Sequence, residues 1–273
     1  MTPTAAGLAA VALGSDEADL ERRFGGLRRL FGDVGYARIR ASHVAVIGVG
    51  GVGSWATEAL ARSGVAALTL FDLEHIAESN VNRQVQALGS TLGMAKVKAL
   101  RARIADIHPG CAVAAIEEFV DESNWPGVLR RRTDVVIDAS DDARAKAVLA
   151  AWARASGTPL VTVGAAGGKR AAERVQVSDL ADVTHDPMLA ALRQRLRKHH
   201  DAPRSGALGV VCVFSREPVA LPGGQGCEVD GSLNCHGYGS SVAVTATFGM
   251  VAAACALELA ARPTVPVGSS API

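Results

Sequence analysis

No Cys-x-x-Cys pair occurs in this 273-residue chain, although it holds Cys111, Cys212, Cys227, Cys235 and Cys255. Such pairs are the strong sequence signal for structural zinc, so their absence argues against a zinc site. His236 cannot complete a four-ligand set with Cys227 and Cys235 on its own. An odd cysteine count without a ladder of spacings also argues against a disulfide scaffold and for a reducing, cytoplasmic setting. A charge excess is missing too. The formal net charge is +1, so no overall field announces a nucleic acid, and DNA is not an expected partner; any such contact must come from a local patch. The start lacks the charged region and apolar run of a secretory signal. Residues 1–19 read as a disordered leader, and the Pro/Ser/Val-rich residues 263–273 as a disordered tail. The run 242–261 nears membrane-spanning length, but Thr245, Thr247, Gly249 and Glu258 dilute it, and a buried core helix is expected.

What is present is a hydrophobic content of 49%, enough for a large core, read here as one domain over 20–262. Residues 43–96 organise it. A β-branched run, His43-Val44-Ala45-Val46-Ile47, ends in Gly48-Val49-Gly50-Gly51-Val52-Gly53-Ser54. A helix pattern follows (Trp55, Ala59, Leu60), then a strand, Leu68-Thr69-Leu70-Phe71, closing on Asp72. Strand, glycine turn, helix and an acid about twenty residues on form the dinucleotide-binding fingerprint. The glycines admit a phosphate to the backbone, and the helix aims its free N–H groups and positive end at it. Asp72 is then placed to accept hydrogen bonds from ribose hydroxyls. The fold class predicted is α/β: a Rossmann-like, doubly wound, mainly parallel sheet with a C-terminal extension of strands and a final helix.

Beyond Asp72 the chain reads Ser79-Asn80-Val81-Asn82-Arg83-Gln84 and then Gly93-Met94-Ala95-Lys96. A dehydrogenase has no need of this; a triphosphate site does. Arg83 offers a planar fork, Lys96 a movable point charge and Asn80 a neutral donor. A buried strand over 134–139 ends in Asp138-Ala139-Ser140-Asp141-Asp142, and ligands of doubly wound sheets sit outside such strand ends. These acids are therefore expected to face the nucleotide, with Asp141 or Asp142 capping the helix 143–156. Residues 121–132 read as a helix-like connection. Gly164-Ala165-Ala166-Gly167-Gly168-Lys169 suits either close approach of a ligand or a turn. Asp186-Pro187 opens a helix whose buried face is Leu189, Leu192 and Leu196. Its other face carries Arg193, Arg195, Arg197 and Lys198, continuing to Arg204. A solvated face is the usual meaning of such a run. It is nonetheless the densest positive patch in a nearly neutral chain, which makes Arg193, Arg197, Lys198 and Arg204 candidate RNA contacts. Cys235 stands beside His236 before a glycine-rich turn, where a thiolate would be accessible; loop packing weighs slightly ahead of chemistry there. Over 20–35, Phe24, Leu27, Leu30 and Phe31 recur at helical spacing among arginines.

The Asn80-x-Asn82-Arg83-Gln84 loop followed by Lys96 resembles the ubiquitin-activating-enzyme-like adenylating family, which includes the sulfur-carrier activators of thiamine and molybdopterin synthesis. Arg-Phe-Gly-Gly, Gly-Val-Gly-Gly-Val-Gly-Ser-Trp-Ala, Ser-Asn-Val-Asn-Arg-Gln, Cys-Val-Phe-Ser and Val-Thr-Ala-Thr-Phe-Gly together resemble one branch of it, over about 21–261. That branch dehydrates threonylcarbamoyladenosine in the tRNA anticodon loop. The resemblance implies ATP held by Gly48, Gly50, Gly51, Gly53, Asp72, Asn80, Arg83, Gln84, Lys96 and Asp141, with Mg²⁺ at Asp141. Arg83, Lys96 and Asp141, with Cys235 added from its accessible loop position, are the catalytic candidates. It also implies an N-terminal arginine reaching the phosphates, assigned to Arg23, in some members from the other subunit. Its partners would be tRNA, a second copy in a homodimer, and a cysteine-desulfurase sulfur-transfer system; a monovalent cation stays open. The alternative is activation of a ubiquitin-like sulfur carrier, against which the missing Cys-x-x-Cys pairs count. An NAD-dependent oxidoreductase rests only on the glycine turn and Asp72. A nucleotide-sensing scaffold would not need Arg83, Lys96 and Asp141 together.

Overall fold

The computed structural model describes residues 19–219 and 238–263. The expected leader and tail therefore lie outside the described residues, apart from Asp19 and Pro263, as do Cys227, Cys235 and His236. Asp19 is no leader residue: its side chain caps the first helix by accepting from the Arg22 N–H at 3.0 Å. That helix, α1 (Leu20–Phe24), passes through a 3-10 turn into α2 (Arg28–Ala41), which bends at Gly32, φ +67°. There follow β1 (His43–Ile47), α3 (Gly53–Arg62), β2 (Ala67–Phe71), α4 (Lys96–Ile107), β3 (Ala112–Ile116) and β4 (Val135–Asp138). The remainder is α5 (Ala143–Ser156), β5 (Leu160–Val163), β6 (Val175–Asp179), α6 (Pro187–His199), β7 (Val211–Ser215) and α7 (Val242–Ala261).

The strands form one sheet in the order β3-β2-β1-β4-β5-β7-β6, parallel except for β6 against β7. The chain winds outward from β1 in one direction and from β4 in the other, so the switch point lies between them. Pairing is in register there: Ile47 lies beside Phe71 on one side and Asp138 on the other. The three loops that leave these strands therefore emerge at one level of the sheet's carboxyl edge.

Side chains alternate across the strands and fill two apolar layers. Val44, Val46, Leu68, Leu70, Val135 and Ile137 face the layer under α2, α3, α4 and α7. Ala45, Ile47, Phe71 and Val136 face the layer under α5 and α6, where Leu189, Leu192 and Leu196 are buried as the helix period predicts. The segment 121–132 departs from its helical expectation. Asp121 Oδ1 accepts from the Ser123 and Asn124 N–H groups at 2.7 and 3.2 Å, forming a turn, and Pro126 and Gly127 follow. Trp125 turns inward, its ring edge-on to those of Phe71 and Trp152.

By length and composition α7 could cross a membrane, yet Val244, Phe248, Ala252, Ala253, Ala256 and Leu257 are buried in the core. Its crossing with α3 is very close. A Cβ at Gly249 would stand 2.5 Å from the Val52 carbonyl oxygen, 2.8 Å from Trp55 Cβ and 2.9 Å from the Ala56 nitrogen. Backbone on the far side cannot yield cheaply, so Gly249→Ala should destabilise the fold by about 1–3 kcal/mol, read as a lowered Tm. At the opposite edge of the sheet, His43 is buried, with Nδ1 2.7 Å from the Arg132 carbonyl and Nε2 2.8 Å from Thr69 Oγ1. Burial holds its pKa below the usual 6.5. The unfolded chain thus takes up the proton first, and stability present above about pH 6.5 is lost as pH falls toward the folded value. The melting temperature should fall on acidification through this window, and His43→Gln should flatten that slope.

Candidate functional site

The glycine turn between β1 and α3 is fixed by its own backbone. Gly48 has φ +78°, and a Cβ there would sit 2.9–3.0 Å from Ser140 N and the Ala139 carbonyl, so the β1 turn rests on the end of β4. A Cβ at Gly53 would collide with the Gly48 carbonyl oxygen. Both positions accept only glycine for internal reasons. Gly50 is different: nothing lies within 4 Å of a Cβ built on it. The turn is open to a ligand on that side, next to the N-terminal end of α3 with its positive dipole end.

Asp72, one residue past β2, lies under the turn and is 7% exposed. Its Oδ2 accepts from the Val49 N–H and its Oδ1 from the Glu74 N–H, each at 2.9 Å. Burial pushes its carboxyl above the ordinary carboxylate value, while Lys96 and the two N–H groups pull it down. Lys96 is buried at the start of α4 and ion-paired with the exposed Glu74. This lysine thus pairs with an acid in solvent while its charge also favours the ionised form of the buried acid below the turn.

Arg83 lies over the turn. Its Cδ and Cγ stand 3.3 and 3.4 Å from the Cβ position of Gly51, so its stem covers that glycine. The Trp55 Nε1–H donates to the Arg83 carbonyl at 3.0 Å and ties the loop to α3. The guanidinium is braced by the Ser79 carbonyl at 2.7 Å and Asn82 Oδ1 at 2.9 Å. Asn82 Nδ2 in turn donates to the Ser240 carbonyl at 3.0 Å, joining this loop to the segment before α7. Asn80 is buried and its Oδ1 accepts from the Ala77 N–H at 3.0 Å, which shapes the loop. Gln84 is buried too, with Oε1 accepting from Gln86 Nε2 at 3.2 Å.

The acids at the end of β4 and just past it divide three ways, which corrects the expectation that all face the nucleotide. Asp138 is fully buried. Its carboxylate accepts from Lys146 Nζ at 3.1 Å, Thr162 Oγ1 at 2.7 Å and Ser140 Oγ at 2.7 Å. Asp142 caps α5 through the Arg144 and Ala145 N–H groups. Asp141 alone is left exposed and uncapping at the strand end.

Arg23 is elsewhere in its own chain. Its Nη1 donates to the Ile107 carbonyl at 2.7 Å and lies 3.3 Å from that of Asp106, at the far end of α4 from Lys96. Twelve helical residues, about 16 Å of rise, separate the two ends. The unsatisfied carbonyls and negative end of α4 explain the preference. Arg193 is likewise committed, to the carbonyls of Leu180 and Val183 at 3.0 and 2.8 Å, and Arg197 Nε to that of Pro203 at 3.1 Å. Lys198 and Arg204 are exposed, as are Arg195, His199 and His200.

The sequence profile of the ThiF family matches residues 25–262. The chain belongs to the ThiF family. It is 41% identical over 248 residues to the tRNA threonylcarbamoyladenosine dehydratase of Escherichia coli strain K12, covering 87% of this chain and 92% of that protein. The Haemophilus influenzae protein of the same name is 39% identical over 236 residues, 85% of this chain and 90% of its own. Crystal structures of the E. coli dehydratase in complex with ATP and with AMP superpose with a TM-score of 0.79 at 40% identity, covering 88% of this chain and 94% of theirs.

Glu74, paired with Lys96, and Lys146, paired with Asp138, belong to no motif yet hold other residues of this ThiF-family site in place. The site as found fits a nucleoside triphosphate: an open flank at Gly50 beside a helix N-terminus, two cations and a buried acid. Beneath the turn, Gln86 Oε1 is buried and has no hydrogen-bond partner among the described residues. Two substitutions separate cradle from scaffold. Gly50→Val should leave Tm nearly unchanged and abolish nucleotide binding by calorimetry, whereas Gly53→Ala should lower Tm sharply because the Gly48 carbonyl cannot move aside.

Proposed function

We propose that this chain is an ATP-dependent tRNA threonylcarbamoyladenosine dehydratase, cyclising the threonylcarbamoyl group through carboxylate adenylation. The observation that carries it is Arg83 lying on Gly51 with Lys96, paired to Glu74, at the start of α4: two cations near a glycine turn whose open flank suits a chain of phosphates. The near full-length similarity to the two bacterial dehydratases selects this reaction within the ThiF family. Activation of a sulfur-carrier protein is disfavoured on the same ground and by the missing Cys-x-x-Cys pairs.

A free carboxylate is a poor electrophile because its leaving group would be oxide. ATP solves this when the threonyl carboxylate attacks its α-phosphorus: pyrophosphate departs and the carboxyl oxygen is now bonded to AMP. Arg83 and Lys96 would stabilise negative charge on the phosphates as that bond breaks. Asp141, an unencumbered hard oxygen donor at the strand end, would hold Mg²⁺; bound there, the ion would neutralise phosphate charge. The carbamoyl oxygen of the same side chain then attacks the acyl carbon and expels AMP, which carries away the oxygen formally lost as water. Holding both groups in one molecule favours this closure without a separate nucleophile, so a thioester on Cys235 is not required.

The exposed Arg195 and Lys198 on α6, with Arg204 in the loop that follows, support a tRNA contact. A homodimer is supported by apolar side chains exposed between Asp72 and Lys96, among them Val81 at 50%, Leu88 at 49% and Met94 at 40%. With Arg23 held at the far end of α4, an N-terminal arginine of the partner copy is the one that would reach the phosphates. The cysteines Cys111, Cys212 and Cys255 are unpaired, in keeping with a cytoplasmic setting.

Incubation with ATP, Mg²⁺ and threonylcarbamoyl-modified tRNA should yield a nucleoside lighter by one water in mass spectrometry. Lys96→Ala and Arg83→Ala should each lower turnover at least a hundredfold with Tm preserved. Turnover with a sulfur carrier and none with tRNA would transfer the assignment to the alternative.

A further inference from the structure

A side chain outside every motif lies beneath the glycine turn. Gln86 is 2% exposed. Its Nε2 donates to the Val49 carbonyl at 3.0 Å and to Gln84 Oε1 at 3.2 Å. The Thr91 hydroxyl, donating to the Gln86 carbonyl at 2.6 Å, fixes its backbone. The amide has one workable orientation: turned over, its oxygen would face two other oxygens. The donor therefore points at the turn.

Peptide planarity carries this contact to the other side of the chain. The Val49 carbonyl and the Gly50 N–H belong to one trans unit and point in opposite directions. Drawing the carbonyl down onto Gln86 turns the Gly50 N–H up and away from it. The flank of Gly50 is open, and the preceding N–H, that of Val49, is already taken by Asp72 Oδ2 at 2.9 Å. Two buried groups thus set the turn. Asp72 draws one N–H inward, and Gln86 releases the next outward.

We propose that Gln86 is a positioning residue that orients the Val49–Gly50 peptide so that the Gly50 N–H donates to a phosphate of the bound nucleotide. This rests on the ATP reading above and adds to it a residue and a specific donor. An apolar side chain at 86 could fill the same buried space but could not hold the carbonyl. Freed, the peptide unit can rotate, and the donor loses its aim at the phosphate while the contacts to ribose and base stay in place.

The test is calorimetric titration of the full chain and its Gln86→Met variant with ATP, AMP and adenosine. Loss of one aimed hydrogen bond should raise Kd for ATP and AMP about tenfold and leave that for adenosine within about twofold. Equal weakening of all three ligands, or weakening of none, would overturn the proposal, the first because it marks a general structural role. If Gln86→Met does not fold, the wild-type chain still decides it by amide NMR: the Gly50 proton should move downfield on adding AMP but not adenosine, and an unmoved Gly50 signal refutes it. Wild-type protein that binds adenosine but gains nothing from phosphates would instead sink the ATP reading itself.

Discussion

The start of α3 is the point to which the rest of the molecule is referred. Gly53 has no room for a side chain against the Gly48 carbonyl, so helix and strand meet at van der Waals distance. That contact fixes the height at which α3 leaves the sheet. Ala139 and Ser140 close on Gly48 from β4, Gly249 of α7 closes on Val52 and Trp55, and Trp55 then anchors the Arg83 carbonyl. A half-ångström change at the first contact would be felt in all the others, because close-packed interiors transmit displacement and do not absorb it.

Electrostatics are layered on that geometry. Two buried acids flank the turn, and they are treated differently. Asp72 keeps a cation within reach but satisfies its oxygens chiefly with backbone N–H groups, and so stays available to a ligand. Asp138 is saturated by Lys146, Thr162 and Ser140, and does nothing but hold the loop that carries Asp141. A buried ion pair of this kind adds little net stability, but removing one partner leaves an uncompensated charge. Its value here is geometric: it sets where the exposed acid emerges.

The parts of this arrangement that follow from local chemistry are legible in the chain. Alternating and continuous apolar runs give the strands, glycine spacing gives the turn, and Asp186-Pro187 gives a helix start. What sequence does not show is where a long side chain bends once the loop around it has folded. Arg193 and Arg23 look like free cations beside other cations, yet each turns back onto carbonyls that only the tertiary fold brings near. Lys146 sits in an alanine-rich helix and gives no hint that an acid eight residues earlier is buried against it. Gln86 is equally silent, because the partner that matters is a backbone carbonyl of the turn, that of Val49.

The closeness of α7 to α3 has a consequence for how the protein is made. Roughly two hundred residues separate Gly249 from Val52, yet they share one contact. Thr245 of the same helix lies against Gly51. A nascent chain emerging from the ribosome holds the first strands and the glycine turn long before the helix that backs them has been synthesised. The packing that backs the glycine turn is therefore completed late in translation, and the growing polypeptide exposes an apolar face of α3 until α7 arrives.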